Sequence, residues 1–193
     1  MPAVLTPPVQ PALPPPLMTG EDFFRDYGSG GYELIDGRVV ENAMPGGEHG
    51  ISCLSVGFYL KLFLMDNPIG RGFGNDTFFY LRRKPDTIRG PDVFFVSHAK
   101  IPANATVPKG TLTVIPEVTF EVRSPSDSWN EATAKAFEYL SAGVQVAVVF
   151  DPDNRTATIF RPDAKPETLK ADETLTIPDH LPGFSVPVHR FFE

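Results

Sequence analysis

Arg89-Gly90-Pro91-Asp92-Val93-Phe94-Phe95-Val96 and Val118-Thr119-Phe120-Glu121-Val122-Arg123-Ser124-Pro125 are the two stretches that decide the fold. Each places an acid at one end of a run of valine and phenylalanine, residues that favour sheet strands. Side chains alternate faces along a strand, so two strand ends can present their acids to one cleft. Asp92 and Glu121, 29 residues apart, would repel one another there unless a proton or a cation lay between them. Mg²⁺ takes oxygen ligands and commonly uses one or two carboxylates. The pair therefore points to a divalent metal and to phosphodiester chemistry.

Parity sharpens the second strand. Val118, Phe120 and Val122 fall on one face, and Glu117, Thr119, Glu121 and Arg123 on the other. The apolar face suits a helix packed against it; the polar face suits either a cleft or an exposed edge. Downstream, the pattern predicts a helix from about Trp129 to Ser141 that stops at Gly143, with Phe137 and Leu140 on its buried face. Lys135 lies on this helix, where a lysine is most often simply solvated. Because the helix follows the Glu121 strand directly, its first turns can also overhang that strand end. An ammonium there can orient or help deprotonate an attacking water and offset phosphate charge.

Working outward, Tyr32-Glu33-Leu34-Ile35, Asp36-Gly37 and Arg38-Val39-Val40 predict a tight hairpin. Thr19, with Asp22 three residues on, predicts the start of a short helix through Phe23, Phe24 and Tyr27. From Glu48 to about Met65, Ile51, Leu54, Phe58, Leu62 and Met65 recur at helical spacing and mark the longest helix. His49 opens it, close enough in sequence to approach the cleft, although most histidines at helix starts have no catalytic part. Phe73 to Leu81 reads as one strand, 98–115 as a loop, Val144 to Phe150 as a buried strand and Thr156 to Phe160 as its hairpin partner. The tail around Leu169, Leu175, Leu181 and Phe184 should cover the sheet.

Composition narrows the class. The 193 residues suffice for one domain of ordinary size. A formal charge of -7 argues against a strongly basic nucleic-acid binder, though not against an enzyme that touches few phosphates through a metal. Arg82, Arg83, Lys84 and Arg89 form a basic run before Asp92, read first as a solvated turn and second as a substrate contact. A single cysteine, Cys53, rules out an intramolecular disulfide and a cysteine-rich zinc site. Residues 1–17 hold seven prolines and no charge, which predicts an extended, disordered arm ahead of a single domain spanning 18–193. With no membrane-length apolar run and no secretory leader, cytoplasmic residence is the default expectation.

Taken in order, Tyr32-Glu33-Leu34-Ile35-Asp36-Gly37, Pro91-Asp92, Glu121-Val122 with Ser124-Pro125-Ser126, Lys135 with Tyr139, Gly143-Val144 and Asp151-Pro152 resemble the Uma-type restriction endonucleases of the PD-(D/E)XK superfamily. The resemblance covers roughly 18–193. It implies an α/β (α+β) restriction-endonuclease-like core: a central mixed β-sheet flanked by helices, with an N-terminal β-hairpin. It implies Asp92 and Glu121 as metal ligands, Glu33 as a third carboxylate, and Lys135 as the catalytic lysine brought in from the following helix. Mg²⁺ or Mn²⁺ would be the cofactor, and 5′-phosphate and 3′-hydroxyl ends the products. Arg123 occupies the position where many superfamily members carry the lysine, and stays protonated. The tryptophan usual after Gly-Val is absent here.

The leading expectation is a metal-dependent endonuclease acting on nucleic acid, DNA first, as a homodimer if both strands of a duplex are cut. The alternative is a catalytically weak or inactive nuclease-fold module that binds or regulates through dimerisation. A carboxylate-pair glycosidase ranks below both, since it leaves Lys135 unexplained.

Overall fold

Thr19 accepts the Asp22 amide on its hydroxyl at 3.2 Å, the predicted cap of helix α1 (Gly20–Tyr27). The structure is a computed structural model and describes residues 16–28, 30–42, 44–74 and 76–193. Positions 1–15, most of the expected arm, lie outside the described residues. Strands β1 (Tyr32–Ile35) and β2 (Arg38–Glu41) form the hairpin, with Asp36 and Gly37 at φ 51° and 71°. Two successive positive φ values are what a tight right-twisting hairpin turn needs. The long helix is α2 (Gly47–Asp66), followed by β3 (Gly70–Gly74), β4 (Phe79–Arg82), β5 (Thr87–Arg89) and β6 (Val93–Ser97).

The single strand expected over Phe73 to Leu81 is therefore two strands, β3 and β4, and they belong to different sheets. Aromatic residues on both sides of the break give it the look of one run. Asp76, at φ 61°, lies in the break and turns the backbone out of the extended region.

Strand β7 (Val118–Val122), helix α3 (Trp129–Ala142) and strand β8 (Val146–Asp151) form a parallel crossover unit. Antiparallel β9 (Thr156–Phe160) and β10 (Glu167–Leu169) extend the sheet to the order β10-β9-β8-β7-β6-β3, mixed as expected. A smaller antiparallel sheet runs β2-β1-β5-β4. A last hairpin, β11 (Thr174–Ile177) and β12 (Leu181–Pro187), leads into a 3-10 turn over Val188–Phe192.

Parity on β7 sets the layers. Val118, Phe120 and Val122 pack with Val56, Leu60 and Leu64 of α2, and Leu175, Leu181, Val188 and Phe191 close that core from the C-terminal segment. On the other face, Ala136 of α3 meets Ala147, Val149 and Phe160, while Tyr139 joins Phe79 and Phe94. The stripe that reveals α2 in the sequence is not the one that buries it. Ile51, Leu54, Phe58, Leu62 and Met65 point to solvent, and His49, Ser52, Val56, Leu60 and Leu64 point inward.

The two sheets meet where the chain leaves β5 at Arg89 and enters β6 at Val93. Gly90 makes this step, and a Cβ there would sit 3.0 Å from the Phe78 ring. That close passage brings Glu33 of β1 up to the Asp92 end of β6.

Candidate active site

Asp92 precedes β6 by one residue, so its side chain lies at the mouth of the large sheet. Its Oδ2 accepts the Val122 amide at 2.7 Å and sits 3.5 Å from Nε2 of His49. Burial pushes this carboxyl up, but the His49 hydrogen bond and charge, with the Val122 amide, outweigh it and hold Asp92 below its ordinary range. The same contact raises His49 above its ordinary value. The helix start thus does deliver His49 to the cleft.

Glu121 lies on the opposite face of β7 from Val122, towards α3. Its Oε1 accepts the Tyr139 hydroxyl at 2.5 Å and lies 3.0 Å from the Lys135 ammonium. Burial, aided by the charges of Asp92 and Glu33, pushes Glu121 up to about 7 in spite of Lys135. Lys135 and Tyr139 reach the same oxygen because residues four apart share a helix face. The helix carrying them is fixed at both ends. Ser128 and Glu131 form a reciprocal capping box at its start, and Gly143, at φ 107°, ends it.

Glu33 completes the group from the small sheet. Its Oε1 is 3.5 Å from Nζ of Lys135 and accepts the Gly90 amide at 3.2 Å, while its Oε2 accepts Arg89 at 2.5 Å. Burial alone would raise it; Lys135 and Arg89 bring it below its ordinary value instead. For Lys135, burial acts downward, and the charges of Glu121 and Glu33 reverse it, so the amine stays an ammonium. All four residues singled out in the sequence line one cleft of about 1060 Å³.

One expectation needs correction, and the basic run keeps its first reading as a turn. Parity placed Arg123 on the Glu121 face, but β7 ends at Val122 and the chain turns away. Arg123 donates to Oδ1 of Asp151 from Nε and Nη2, at 3.2 and 2.8 Å, and to the Asp127 carbonyl at 3.0 Å. It is a clamp between strand ends, away from Glu121. Nor is the basic run a free phosphate patch: Arg82 pairs with Asp36, Arg83 with Glu21 and Asp86, and Arg89 with Glu33 and Glu138. Among these, Arg89 reaches the cleft, where Glu138 holds it at 2.6 Å.

Residue reading alone gave no role to Tyr139, Glu138 or Cys53. The first two were detectable by spacing, at four and three residues beyond Lys135 on the same helix. Cys53 lies one helical turn beyond His49, its Sγ 3.4 Å from Nδ1. Burial holds its thiol far above the ordinary range, so it stays protonated in this environment.

The donor set suits a divalent cation. Asp92 and Glu121 offer hard carboxylate oxygens. His49 and Cys53 bring a nitrogen and a sulfur within 4.8 Å of an Asp92 oxygen, but the protonated thiol offers no ligand to a hard cation. Charge points the same way. Among the described residues, Glu33, Glu41, Asp76, Asp92, Glu121, Asp127, Glu131 and Glu138 line the cleft against only Arg89 and Lys135 as permanent cations. Glu121 is raised chiefly by burial, and the charges of Asp92 and Glu33 add to it.

Comparison with known proteins agrees with this architecture. A family model described as "Uma2: Putative restriction endonuclease" matches residues 21–189. A crystal structure of a "putative nuclease belonging to DUF820" from Anabaena variabilis superposes with a TM-score of 0.77 at 22% identity, covering 91% of this chain and 97% of that one. The fold is thus shared with that nuclease. No curated protein matches the chain. No helix among the described residues is long and apolar enough to cross a membrane.

Proposed function

This chain belongs to the Uma2 family, and from that premise we propose that it is a metal-dependent endonuclease hydrolysing phosphodiester bonds, with DNA as substrate. The observation that carries the reading is the convergence of Asp92, Glu121, Glu33 and Lys135 from two sheets and a helix onto one buried end of the cleft. A binding module has no need of a half-buried lysine shared between two carboxylates.

Asp92 and Glu121 would hold Mg²⁺ or Mn²⁺, with Glu33 close by and His49 steadying Asp92 through Oδ2. When bound, such an ion supplies Lewis-acid charge at the scissile phosphate and lowers the pKa of water. The protein's own groups supply the rest. The Val122 amide fixes the Asp92 carboxylate, and Tyr139 fixes Glu121. Lys135, kept protonated, donates hydrogen bonds to orient the attacking water and offsets charge developing on the phosphate. It is not the base, because Glu121 and Glu33 hold its proton in place. Arg89 holds the other oxygen of Glu33, fixing that carboxylate beside Lys135.

The test is cleavage of supercoiled plasmid in Mg²⁺ or Mn²⁺. Asp92→Ala and Lys135→Ala should each lower nicking by about 10²-fold or more, the scale of removing one preorganised charge from a transition state. Arg123→Ala should retain it within a few-fold. A folded wild type that nicks neither single- nor double-stranded DNA would leave the binding module as the better account.

A further inference from the structure

Helix α2 is apolar on two opposite sides, and the described residues cover only one. Its charged residues are Glu48, Lys61 and Asp66 alone in a segment of 20 residues. A helix apolar all round ordinarily has protein on all sides. Here Val56, Leu60 and Leu64 enter the core, whereas Ile51, Leu54, Phe58, Leu62 and Met65 remain 50, 75, 55, 46 and 68% exposed. Phe58 is two positions from both Val56 and Leu60, about 200° around the helix axis, so this stripe lies directly opposite the buried one. It runs about 21 Å at 1.5 Å per residue. A continuous apolar strip of that length is the kind of surface that marks an interaction site on a soluble protein.

The spacing within the stripe identifies the occupant. From Ile51 the intervals are three, four, four and three residues, a palindrome centred on Phe58. An antiparallel copy of the same helix reads the same pattern backwards. It places Phe58 against Phe58 on the axis, and Leu54 against Leu62 and Ile51 against Met65, each of these two pairs made twice, as a two-fold interface requires. An unrelated partner would need no such symmetry. Charge raises no barrier either, since Glu48 and Asp66 lie at the helix ends and Lys61 is the one charge between them.

We propose that this chain forms a two-fold homodimer by antiparallel pairing of α2 across Phe58. The pairing puts the two His49 positions at opposite ends, about 27 Å apart along the helices at 1.5 Å per residue. The dimer carries two separate, outward active sites, each complete within one chain. The proposal stands or falls independently of the nuclease reading.

Sedimentation velocity with the full chain tests it. At tens of micromolar the expected species has twice the 21.2 kDa mass of the chain. Phe58→Glu should return it to the monomer while unchanged circular dichroism shows that the fold survives, as expected of an exposed position. Symmetry is tested by oxidation in a Cys53→Ser background. Phe58→Cys should cross-link to itself, whereas Ile51→Cys should not, because the two copies of position 51 lie about 21 Å apart. Mixing Ile51→Cys with Met65→Cys protein should give the mixed dimer. A monomeric wild type at 100 µM, a dimer indifferent to Phe58→Glu, or self-linking at position 51 would each overturn the proposal.

Discussion

Three carboxylates and one ammonium share the buried end of the cleft, and Lys135 cannot neutralise all three. Asp92 has His49 and the Val122 amide, and Glu33 has Arg89 and the Gly90 amide. Glu121 has Tyr139 and a share of Lys135, and it carries the deficit, pushed up by burial from 4.5 to about 7. A carboxyl raised in the folded state favours the proton there. Its stability term is intact below about pH 4.5 and is lost as pH rises through about 7. At about 1.36 kcal/mol per unit, the metal-free chain stands to lose on the order of 3 kcal/mol by pH 8. Glu121→Gln, which cannot ionise, should remove this loss. In EDTA its melting temperature should exceed that of the wild type at pH 8 and converge with it near pH 5. Parallel melting curves for the two proteins across that range would mean that Glu121 is not under charge stress. The acids and the lysine were legible in the sequence because each sits at a marked place: a strand end, a hairpin, the helix after the strand. Tyr139 was harder to read. Its hydroxyl acquires meaning only once α3 lies over β7.

Elements with local signals came out of the sequence nearly intact. The Thr19 cap, the Asp36-Gly37 turn and the Gly143 stop each depend on a few adjacent residues. The errors fall where tertiary partners decide. Phe73 and Phe79 differ only in which sheet receives them, and α2 displays two apolar stripes between which the sequence alone cannot choose. Arg123 belongs with these, since its direction depends on where β7 ends. Its partner Asp151 closes the end of β8, and the clamp ties the two parallel strands together beneath the Glu121 end of the sheet. Burial pushes Asp151 up, but hydrogen bonds from Asn154 and Arg123 outweigh it and hold it below its ordinary value. The sign is therefore opposite to that of Glu121. The stability from this carboxylate is present above its unfolded value, about 3.9, and is lost as pH falls through the lower folded one. Asp151→Asn should destabilise the protein at pH 7 by about 1–3 kcal/mol, the worth of hydrogen bonds to a charged group. In chemical denaturation the gap to the wild type should close as pH drops below about 4. A gap that persists in acid would assign the loss to packing.

At the scale of the whole molecule, a chain of formal charge -7 opens an acid-lined cleft to a polyanion. The arginines that might have received phosphates are committed to carboxylates within the fold. Nucleic acid should therefore approach only when a divalent cation has first reversed the local field. Salt dependence follows from the same charge count. Each phosphate neutralised by a basic side chain contributes about -0.9 to the slope of log K against log salt on duplex DNA, so a site with few free cations should give a shallow slope. Fluorescence anisotropy with a labelled duplex and Lys135→Ala protein, which should bind without turning over, separates the possibilities. In EDTA no binding should be seen at micromolar protein. In Mg²⁺ or Mn²⁺ binding should appear, with a slope of magnitude below about 3. Tight binding in EDTA with a steep slope would place the nucleic acid on some other, basic surface and leave the acid cleft without its substrate. The contrast is sharp because ion pairing has removed the usual alternative: Lys135 and Arg89, the cations the cleft does possess, are already held by its own acids.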